Sequence, residues 1–276
     1  MRPESEAELA AMLRGASGPV SVTGGASRLY PGEGQGARID MRGITGITLY
    51  EPAALTLVVR AGTPLAEVEA VLAAENQMLG FEPDPRPGST IGGVAASNAS
   101  GPRRVLAGAC RDAMLGVRLV TGDGRIVKNG GRVMKNVTGY DLVKLLAGSR
   151  GTLGAITEIA FRTAPVPPAH AVLRLEGLDD AAAIAAMTMA LGGPYDVTGA
   201  GRLPSGRVIL RLEGLPGSVA LRAKALASAL APLGSVEIVD DISHFNRLRD
   251  YPQVSAGPLW RIVLRPSQAA AVLAKA

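Results

Sequence analysis

The stretch from Pro87 to Leu119 is the feature that most constrains the fold of this chain. Its sequence, PGSTIGGVAASNASGPRRVLAGACRDAMLGVRL, combines many glycines with small and regularly placed apolar residues. Glycine accepts positive φ and lets another group approach the backbone closely, and successive main-chain N–H groups can then hold an anion. A flexible linker has similar composition, but it does not need apolar residues such as Ile91 and Val94. The stretch therefore predicts an anion-binding segment of a folded domain, with a purely structural, turn-rich segment as the alternative.

Composition places the chain among folded, globular proteins. It has 276 residues, of which 47% are hydrophobic and 19% charged, so we expect one large or two modest domains. The net charge of +5 does not identify a partner, because the basic residues are scattered and aromatic residues make up only 3%. Aromatic side chains are the platforms on which nucleic-acid bases stack, so no nucleic-acid partner is expected.

Cysteine content and hydropathy bear on compartment and on metals. The single cysteine, Cys110, excludes an intramolecular disulfide and a cysteine-only metal site. We expect no metal, no secretion signal and no membrane span, because no apolar run reaches the ~20 residues that cross a bilayer. The sequence predicts a cytoplasmic protein, with membrane association through partner subunits left open.

The N-terminal part reads as strands, glycine loops and short helices. The strand Pro19–Thr23 leads directly into Gly24–Arg28, where a phosphate could meet free N–H groups, although a simple hairpin turn is an equal alternative. Pro64 is expected to be the first residue of a helix that Thr63 caps. Gly122–Gly124 predicts a β-hairpin between two apolar runs.

The segment Ala164–Pro168 is the clearest boundary in the chain. Beyond it the pattern runs strand, helix, strand, strand, helix, strand, which is the ferredoxin-like order. A further strand is expected at Leu259–Leu264. These patterns predict two domains, residues 1–165 and residues 169–276.

Four motifs occur in the order of a known flavoprotein family. The strand with Gly24-Gly25, the segment PGSTIGGVAASNASG, the Asp-Gly hairpin and the segment KNVTGYDLVKLLAGSRGTLGAITEI resemble the FAD-binding domain of the vanillyl-alcohol-oxidase/PCMH family. Within it, PRRVLAGACRDAMLG and GGRVMKNVTGYDL are similar to the FAD-binding subunits of bacterial glycolate oxidase (glycolate dehydrogenase). The resemblance implies an α+β fold, with a PCMH-type two-subdomain FAD-binding domain followed by an incomplete ferredoxin-like cap domain.

The resemblance also implies a cofactor site. The first loop and the segment from Pro87 would hold the pyrophosphate, the residues around Asn98 would run beside the isoalloxazine, and the segment ending at Ile156 would contact the adenine. The expected cofactor-binding residues are Thr23, Gly24, Gly25, Ala26, Ser27, Arg28, Leu29, Pro87, Gly88, Ser89, Thr90, Gly92, Gly93, Ala96, Asn98, Gly101, Arg104, Lys135, Gly151, Gly154 and Ile156.

Two departures from the family bear on the cofactor and on the cap. The first loop has no histidine or cysteine, and Cys110 is expected to be a buried thiol, so we expect non-covalent FAD. Relatives continue further, so either a C-terminal part is missing or a partner covers an open sheet edge.

The resemblance implies oxidation of a small 2-hydroxy acid, glycolate, to glyoxylate, with electrons passed to a second flavoprotein subunit and an iron–sulfur subunit. This chemistry requires hydride transfer to the flavin, a base, and a cation for the carboxylate. Lys135 and Arg104 are the favoured cations, with a solvated surface position as the alternative for each. Asp141 could orient substrate or cap a helix, and no catalytic base is assigned.

Three alternative functions stay open. They are a stand-alone FAD-dependent enzyme for another hydroxy acid or sugar, a non-catalytic relay subunit, and a cofactor-free structural subunit.

Overall fold

The computed structural model describes residues 1–132, 139–254 and 261–275. The helices are α1 (Glu6–Arg14), α2 (Leu65–Ala74), α3 (Ile91–Ser97), α4 (Arg104–Ala107), α5 (Cys110–Ala113), α6 (Leu142–Leu146), α7 (Asp180–Gly192), α8 (Pro216–Leu230), α9 (Ser243–Val254) and α10 (Pro266–Leu273), with short 3-10 turns at Met41–Gly43, Pro52–Ala54 and Ala231–Leu233. The strands are β1 (Val20–Thr23), β2 (Ala37–Asp40), β3 (Ile47–Glu51), β4 (Thr56–Arg60), β5 (Gln77–Met78), β6 (Met114–Val120), β7 (Ile126–Gly130), β8 (Ala155–Arg162), β9 (Ala164–Pro165), β10 (Ala169–Leu175), β11 (Val197–Arg202), β12 (Val208–Gly214) and β13 (Val236–Val239).

The chain divides into two compact units. The first comprises Met1–Ser100 and Gly108–Val166, and the second comprises Gly101–Ala107 and Pro167–Ala276. In the second unit, Arg103 donates two hydrogen bonds to the buried carboxylate of Glu213, with Nε–Oε2 at 3.0 Å and Nη2–Oε1 at 2.6 Å. Such a bidentate pair fixes both partners. Nothing in the sequence pattern predicts that Gly101–Ala107 belongs to the second unit.

The first unit is built on a five-stranded antiparallel sheet in the order β3-β4-β8-β6-β7. Apolar residues of the central strands and of α2 and α3 form its main core, including Leu57, Val59, Val68, Leu72, Ile91, Val94, Ile159 and Phe161. The predicted hairpin is confirmed, because the Gly124 N–H donates to the carbonyl of Thr121 between paired β6 and β7. A parallel pair, β1 and β2, places the end of β1 at the start of a glycine loop.

Two local expectations are wrong. Helix α2 has Pro64 as its N-cap and receives no side-chain cap. The Thr63 hydroxyl instead donates to the carbonyl of Arg60 at 2.8 Å and accepts from the N–H of Gly46 at 2.9 Å, which fastens a neighbouring loop. The expected strand at 259–264 is not formed over residues 261–264, and residues 259–260 lie outside the described residues.

The second unit contains a four-stranded antiparallel sheet in the order β11-β12-β10-β13. With α7 between β10 and β11, and α8 between β12 and β13, this is the ferredoxin-like arrangement that the sequence predicts. Small residues of α7 allow close packing on the sheet, where Ala183, Ala186 and Ala190 are fully buried. The buried Arg211 guanidinium lies 4.6 Å from the ring centroid of Phe245. This cation–π contact partly compensates the burial of the arginine's charge.

Candidate functional site

A cleft in the first unit brings together three segments that are distant in sequence. It includes about 680 Å³ of empty space, open solvent included. The segments are the loop after β1, the start of α3, and the turn between α6 and β8. The lining residues are Val22, Thr23, Gly24, Gly25, Ala26, Ser27, Arg28, Leu29, Met41, Ala61, Thr90, Gly92, Gly93, Ala96, Ser97, Arg150, Gly151, Gly154 and Ile156.

The loop after β1, residues 24–29, which we call the first loop, presents unpaired main-chain donors to this cleft. Among the described residues, the N–H groups of Gly24, Gly25, Ala26 and Ser27 have no hydrogen-bond partner. Ala26 adopts φ 56°, and an alternation of backbone conformation of this kind turns successive N–H groups toward one side. Backbone donors that are removed from water are rarely left unpaired, and Gly24 to Ser27 are half-buried, so their N–H groups are available to a ligand with acceptor atoms.

Close contact with the segment before α3 explains the glycines of the first loop. A Cβ at Gly24 would lie 2.1 Å from the Thr90 Oγ1, and a Cβ at Gly25 would lie 1.7 Å from the carbonyl oxygen of Gly88. No side chain fits at such distances. The two segments therefore touch only because both positions lack a Cβ.

The N–H groups at the start of α3 are already occupied by the protein. Ile91 donates to the carbonyl of Thr63 at 3.0 Å, and Gly92 donates to that of Ala61 at 2.8 Å. Gly93 donates to the Thr90 Oγ1 at 3.2 Å, which makes Thr90 the N-cap. These three donors hold the helix in place. The cradle role expected of this segment stays a prediction, and the four unpaired donors described above belong to the first loop.

Arg28 joins the first loop to the segment that leads to α3. Its buried guanidinium forms an ion pair with Asp84, and its Nη2 also donates to the Asp84 carbonyl at 2.6 Å and to the Ser89 Oγ at 3.2 Å. Arg86 also pairs with Asp84 and donates to the carbonyl of Ser27 at 3.0 Å. Burial acts to raise the pKa of Asp84, but the hydrogen bonds from the two arginines outweigh it, so that pKa is below its usual value.

Arg150 lines the cleft and is not among the predicted site residues. Its Nε donates to Glu33 Oε1 at 2.5 Å, its Nη2 donates to the Arg28 carbonyl at 2.5 Å, and its guanidinium carbon lies 4.0 Å from the centroid of the Tyr30 ring. The hydrogen bonds from Arg150 hold the pKa of Glu33 below its usual range. The available sequence signal was an arginine between two glycines in AGSRGTLG.

Some predicted site residues lie outside the lining. Gly88 lies against Gly25, and the Ser89 hydroxyl accepts from Arg28. Asn98 ends α3 with φ 49°, and its Oδ1 accepts from the N–H of Arg111 at 3.0 Å, a structural contact. Pro87 is also absent from the lining, Gly101 and Arg104 belong to the second unit, and Lys135 lies outside the described residues.

The chain's one cysteine is not available for covalent attachment. Cys110 is fully buried, and burial raises the pKa of its thiol well above the ordinary value. Among the residues described, no group of three or more His, Cys, Asp and Glu side chains is arranged to hold a metal. In the same part of the chain, no helix is long and apolar enough to cross a membrane.

These residues fit a dinucleotide held without a covalent bond. The free donors of the first loop suit a diphosphate, and the small residues along the cleft, such as Gly93, Ala96 and Gly151, leave room for flat rings. Both arginines that line the cleft are already paired with carboxylates. Within the part of the chain that the structure describes, the lining includes no imidazole and no carboxylate.

Comparison with known proteins agrees with this geometry. Residues 1–130 match the family described as FAD binding domain. The chain is 44% identical over 161 residues to glycolate oxidase subunit GlcE of Escherichia coli (strain K12), a match that covers 57% of this chain and 46% of the relative. It is 34% identical over 201 residues to the mitochondrial D-lactate dehydrogenase [cytochrome] of Arabidopsis thaliana, covering 69% and 35% of the two chains. Each match spans less than half the length of the relative.

Two solved structures show the same fold. An alkyldihydroxyacetonephosphate synthase superposes with a TM-score of 0.75 at 18% identity, over 92% of this chain and 54% of that one. A p-cresol methylhydroxylase superposes with a TM-score of 0.68 at 14% identity, over 90% and 60%. The expectation of a PCMH-type fold is thereby confirmed.

Proposed function

We propose that this chain, whose residues 1–130 are an FAD-binding domain of the family matched above, is the FAD-binding subunit of a glycolate (2-hydroxy acid) dehydrogenase complex. Bound FAD supplies the hydride acceptor for oxidation of glycolate to glyoxylate. The partners are a second flavoprotein subunit and an iron–sulfur subunit that takes the electrons. We place the complex in the cytoplasm, with any membrane contact made through the partners.

The unpaired N–H groups of the first loop are the observation on which the cofactor assignment depends. Gly24, Gly25, Ala26 and Ser27 offer four donors within one short loop, and a diphosphate is a ligand with enough acceptor oxygens to use them. Hydrogen bonds to charged acceptors contribute about 1.5–3 kcal/mol each, so these donors together hold FAD without a covalent bond.

The named relatives support the substrate class. Glycolate and D-lactate, the substrates in the names of the Escherichia coli and Arabidopsis proteins, are both small 2-hydroxy acids. A third relative, glycolate oxidase subunit GlcD of Bacillus subtilis (strain 168), is 37% identical over 132 residues. The word subunit in two of these names supports the proposal that the chain works within a complex.

The cleft lining favours a second candidate, a non-catalytic relay subunit. A 2-hydroxy acid gives up its hydroxyl proton to a base, and none of the described residues that line the cleft has an imidazole or a carboxylate. A relay subunit binds FAD and passes electrons without holding the substrate. Lys135 and Arg104 stay our candidates for the substrate carboxylate in the catalytic alternative.

Anaerobic flavin reduction separates these functions. The purified chain is mixed with glycolate, D-lactate and other hydroxy acids or sugars, alone and with co-expressed partner subunits, while flavin absorbance is recorded. Bleaching by glycolate supports the glycolate subunit, and bleaching by another compound alone supports the stand-alone enzyme. A yellow protein that never bleaches until partners are added supports the relay. A folded protein that takes up no FAD at excess would overturn the whole proposal.

A further inference from the structure

Arg150 occupies a backbone conformation that disfavours an arginine. Its φ is 54°, and its neighbours Gly148 and Gly151 have φ 86° and 81°. The N–H of Arg150 donates to the carbonyl of Ala96 at 2.8 Å, which fixes the turn on α3. Glycine adopts this conformation without steric cost, so an arginine held there indicates that its side chain has a role.

The side chain of Arg150 reaches three parts of the segment that follows β1. It forms a bidentate ion pair with Glu33, donates a hydrogen bond to the carbonyl of Arg28 at 2.5 Å, and lies over the ring of Tyr30. Glu33 Oε2 also accepts from the main-chain N–H of Tyr30 at 2.8 Å. A planar guanidinium makes such a fork, which a lysine cannot reproduce.

Beyond Arg28, whose guanidinium is anchored by Asp84, the segment that Arg150 contacts is exposed and rich in glycine. Gly32, Gly34 and Gly36 all have positive φ, and Tyr30 is 63% exposed. This segment directly continues the first loop, whose N–H groups are free. Its position therefore affects where those donors point.

The geometry points to a clasp, formed by Arg150, Glu33 and Tyr30, that holds the first loop in the conformation that binds FAD. Arg150 is then a positioning residue, and its charge is satisfied by Glu33 and not by the phosphates. This inference rests on the proposed FAD binding. If Arg150 were instead a direct phosphate ligand, removing the Glu33 carboxylate would have the opposite effect on FAD binding.

Two kinds of variant distinguish a clasp from a direct phosphate ligand. One keeps the positive charge of residue 150, and the other removes the carboxylate that pairs with Arg150. In a clasp, Arg150→Gln and Glu33→Gln each weaken FAD binding roughly tenfold, and the double variant is no weaker than either single one. Arg150→Lys keeps the charge but loses the fork, so it weakens binding as Arg150→Gln does. A direct phosphate ligand predicts instead that Glu33→Gln frees the arginine and tightens binding, and that Arg150→Lys stays near wild type.

The measurement is the Kd and release rate of FAD, from flavin fluorescence, on the full chain after removal of bound cofactor. Circular dichroism confirms that each variant is folded. Arg125→Gln is the matched control, because Arg125 forms an exposed ion pair with Asp123 and its loss should leave the Kd unchanged. Unchanged Kd in the Arg150 and Glu33 variants, tighter binding in Glu33→Gln, or equal weakening in the control overturns the clasp while FAD binding by wild type stands. A wild-type chain that binds no FAD overturns both proposals.

Discussion

Two glycine-rich segments border the same cleft, and they use glycine in different ways. In the first loop, Gly24 and Gly25 lie against the neighbouring segment and leave their N–H groups unpaired. At the start of α3, Gly92 also lies against a neighbour, since its Cβ would be 2.7 Å from the Ala61 Cβ, but its N–H donates to the Ala61 carbonyl. The same residue type therefore leaves backbone donors unpaired in one segment and allows a helix to pack closely in the other.

The difference shows what a glycine pattern can and cannot indicate. Glycine-rich sequence indicates close approach of backbone, which is observed in both segments. Whether the N–H groups stay free depends on acceptors elsewhere in the chain, such as the carbonyls of Ala61 and Thr63. Substitutions that affect one segment and spare the other test this distinction.

Removing Arg28 should have the largest effect, because Arg28 fastens the two segments together. Arg28→Met leaves the buried Asp84 carboxylate with Arg86 as its remaining ion-pair partner among the described residues, and breaking a buried pair costs about 3–5 kcal/mol. We expect a loss of that size in the free energy of unfolding, measured by urea titration. Arg42→Met, which breaks the exposed pair with Asp40, should cost less than about 1 kcal/mol. Equal losses would contradict the conclusion that Arg28 fastens the two segments together.

A side chain at Gly25 should abolish tight FAD binding. In Gly25→Val the Cβ cannot lie 1.7 Å from the Gly88 oxygen, so the first loop must move and its donors with it. Losing two hydrogen bonds to phosphate weakens FAD at least roughly 100-fold, measured by flavin fluorescence. Gly18→Val is the control, because a Cβ there meets nothing within 4 Å. Tight binding by Gly25→Val would refute the role of the first loop.

A methyl group at Gly92 should affect stability and leave binding nearly intact. Gly92→Ala forces its Cβ against Ala61, and overpacking of this kind costs about 1–3 kcal/mol. The melting temperature should fall, while the Kd of the folded protein for FAD stays close to wild type. Gly93→Ala, whose Cβ would lie 3.3 Å from the Thr90 Oγ1, should change stability less. A large loss of FAD affinity in Gly92→Ala would mean that the α3 segment holds the ligand after all.

The effect of acid should be the smallest and should depend on Arg28. The pKa of Asp84 is lower in the folded protein than in the unfolded chain, because Arg28 and Arg86 donate to it. Its stabilising contribution is therefore present above about pH 4 and is lost as pH falls further, through the folded pKa. In Arg28→Met, only Arg86 opposes the effect of burial on the Asp84 pKa. The difference in the free energy of unfolding between wild type and variant should therefore narrow below pH 4. Urea titrations at several pH values measure this gap, and a constant gap would contradict the assignment.

The sequence predicted the parts of the fold that depend on local patterns. The ferredoxin-like order follows from alternating apolar runs, and the hairpin follows from Gly122–Gly124. It failed where a distant partner decides the structure. Thr63 bonds to Gly46 in place of capping α2, and the Arg103 segment joins the second unit through Glu213.

The candidate site shows the same division. Many of the residues that motif order predicted line the cleft, and their role in binding FAD stays a prediction. Arg150, Ala61 and Met41 also line the cleft but were not predicted, because no sequence pattern around them indicates which residues they contact. Arg150 owes its importance to Glu33, which lies more than a hundred positions earlier in the chain.

The sequence alone determined where backbone could approach backbone, because glycine sterics are a property of each residue and its neighbours. Only the tertiary structure decided which N–H groups stay free and which charges are paired. Hydrogen bonds and ion pairs join groups that folding brings together, as Gly92 with Ala61 and Arg28 with Asp84. Composition sets the number of donors, whereas the three-dimensional arrangement of acceptors determines which of them a ligand can use.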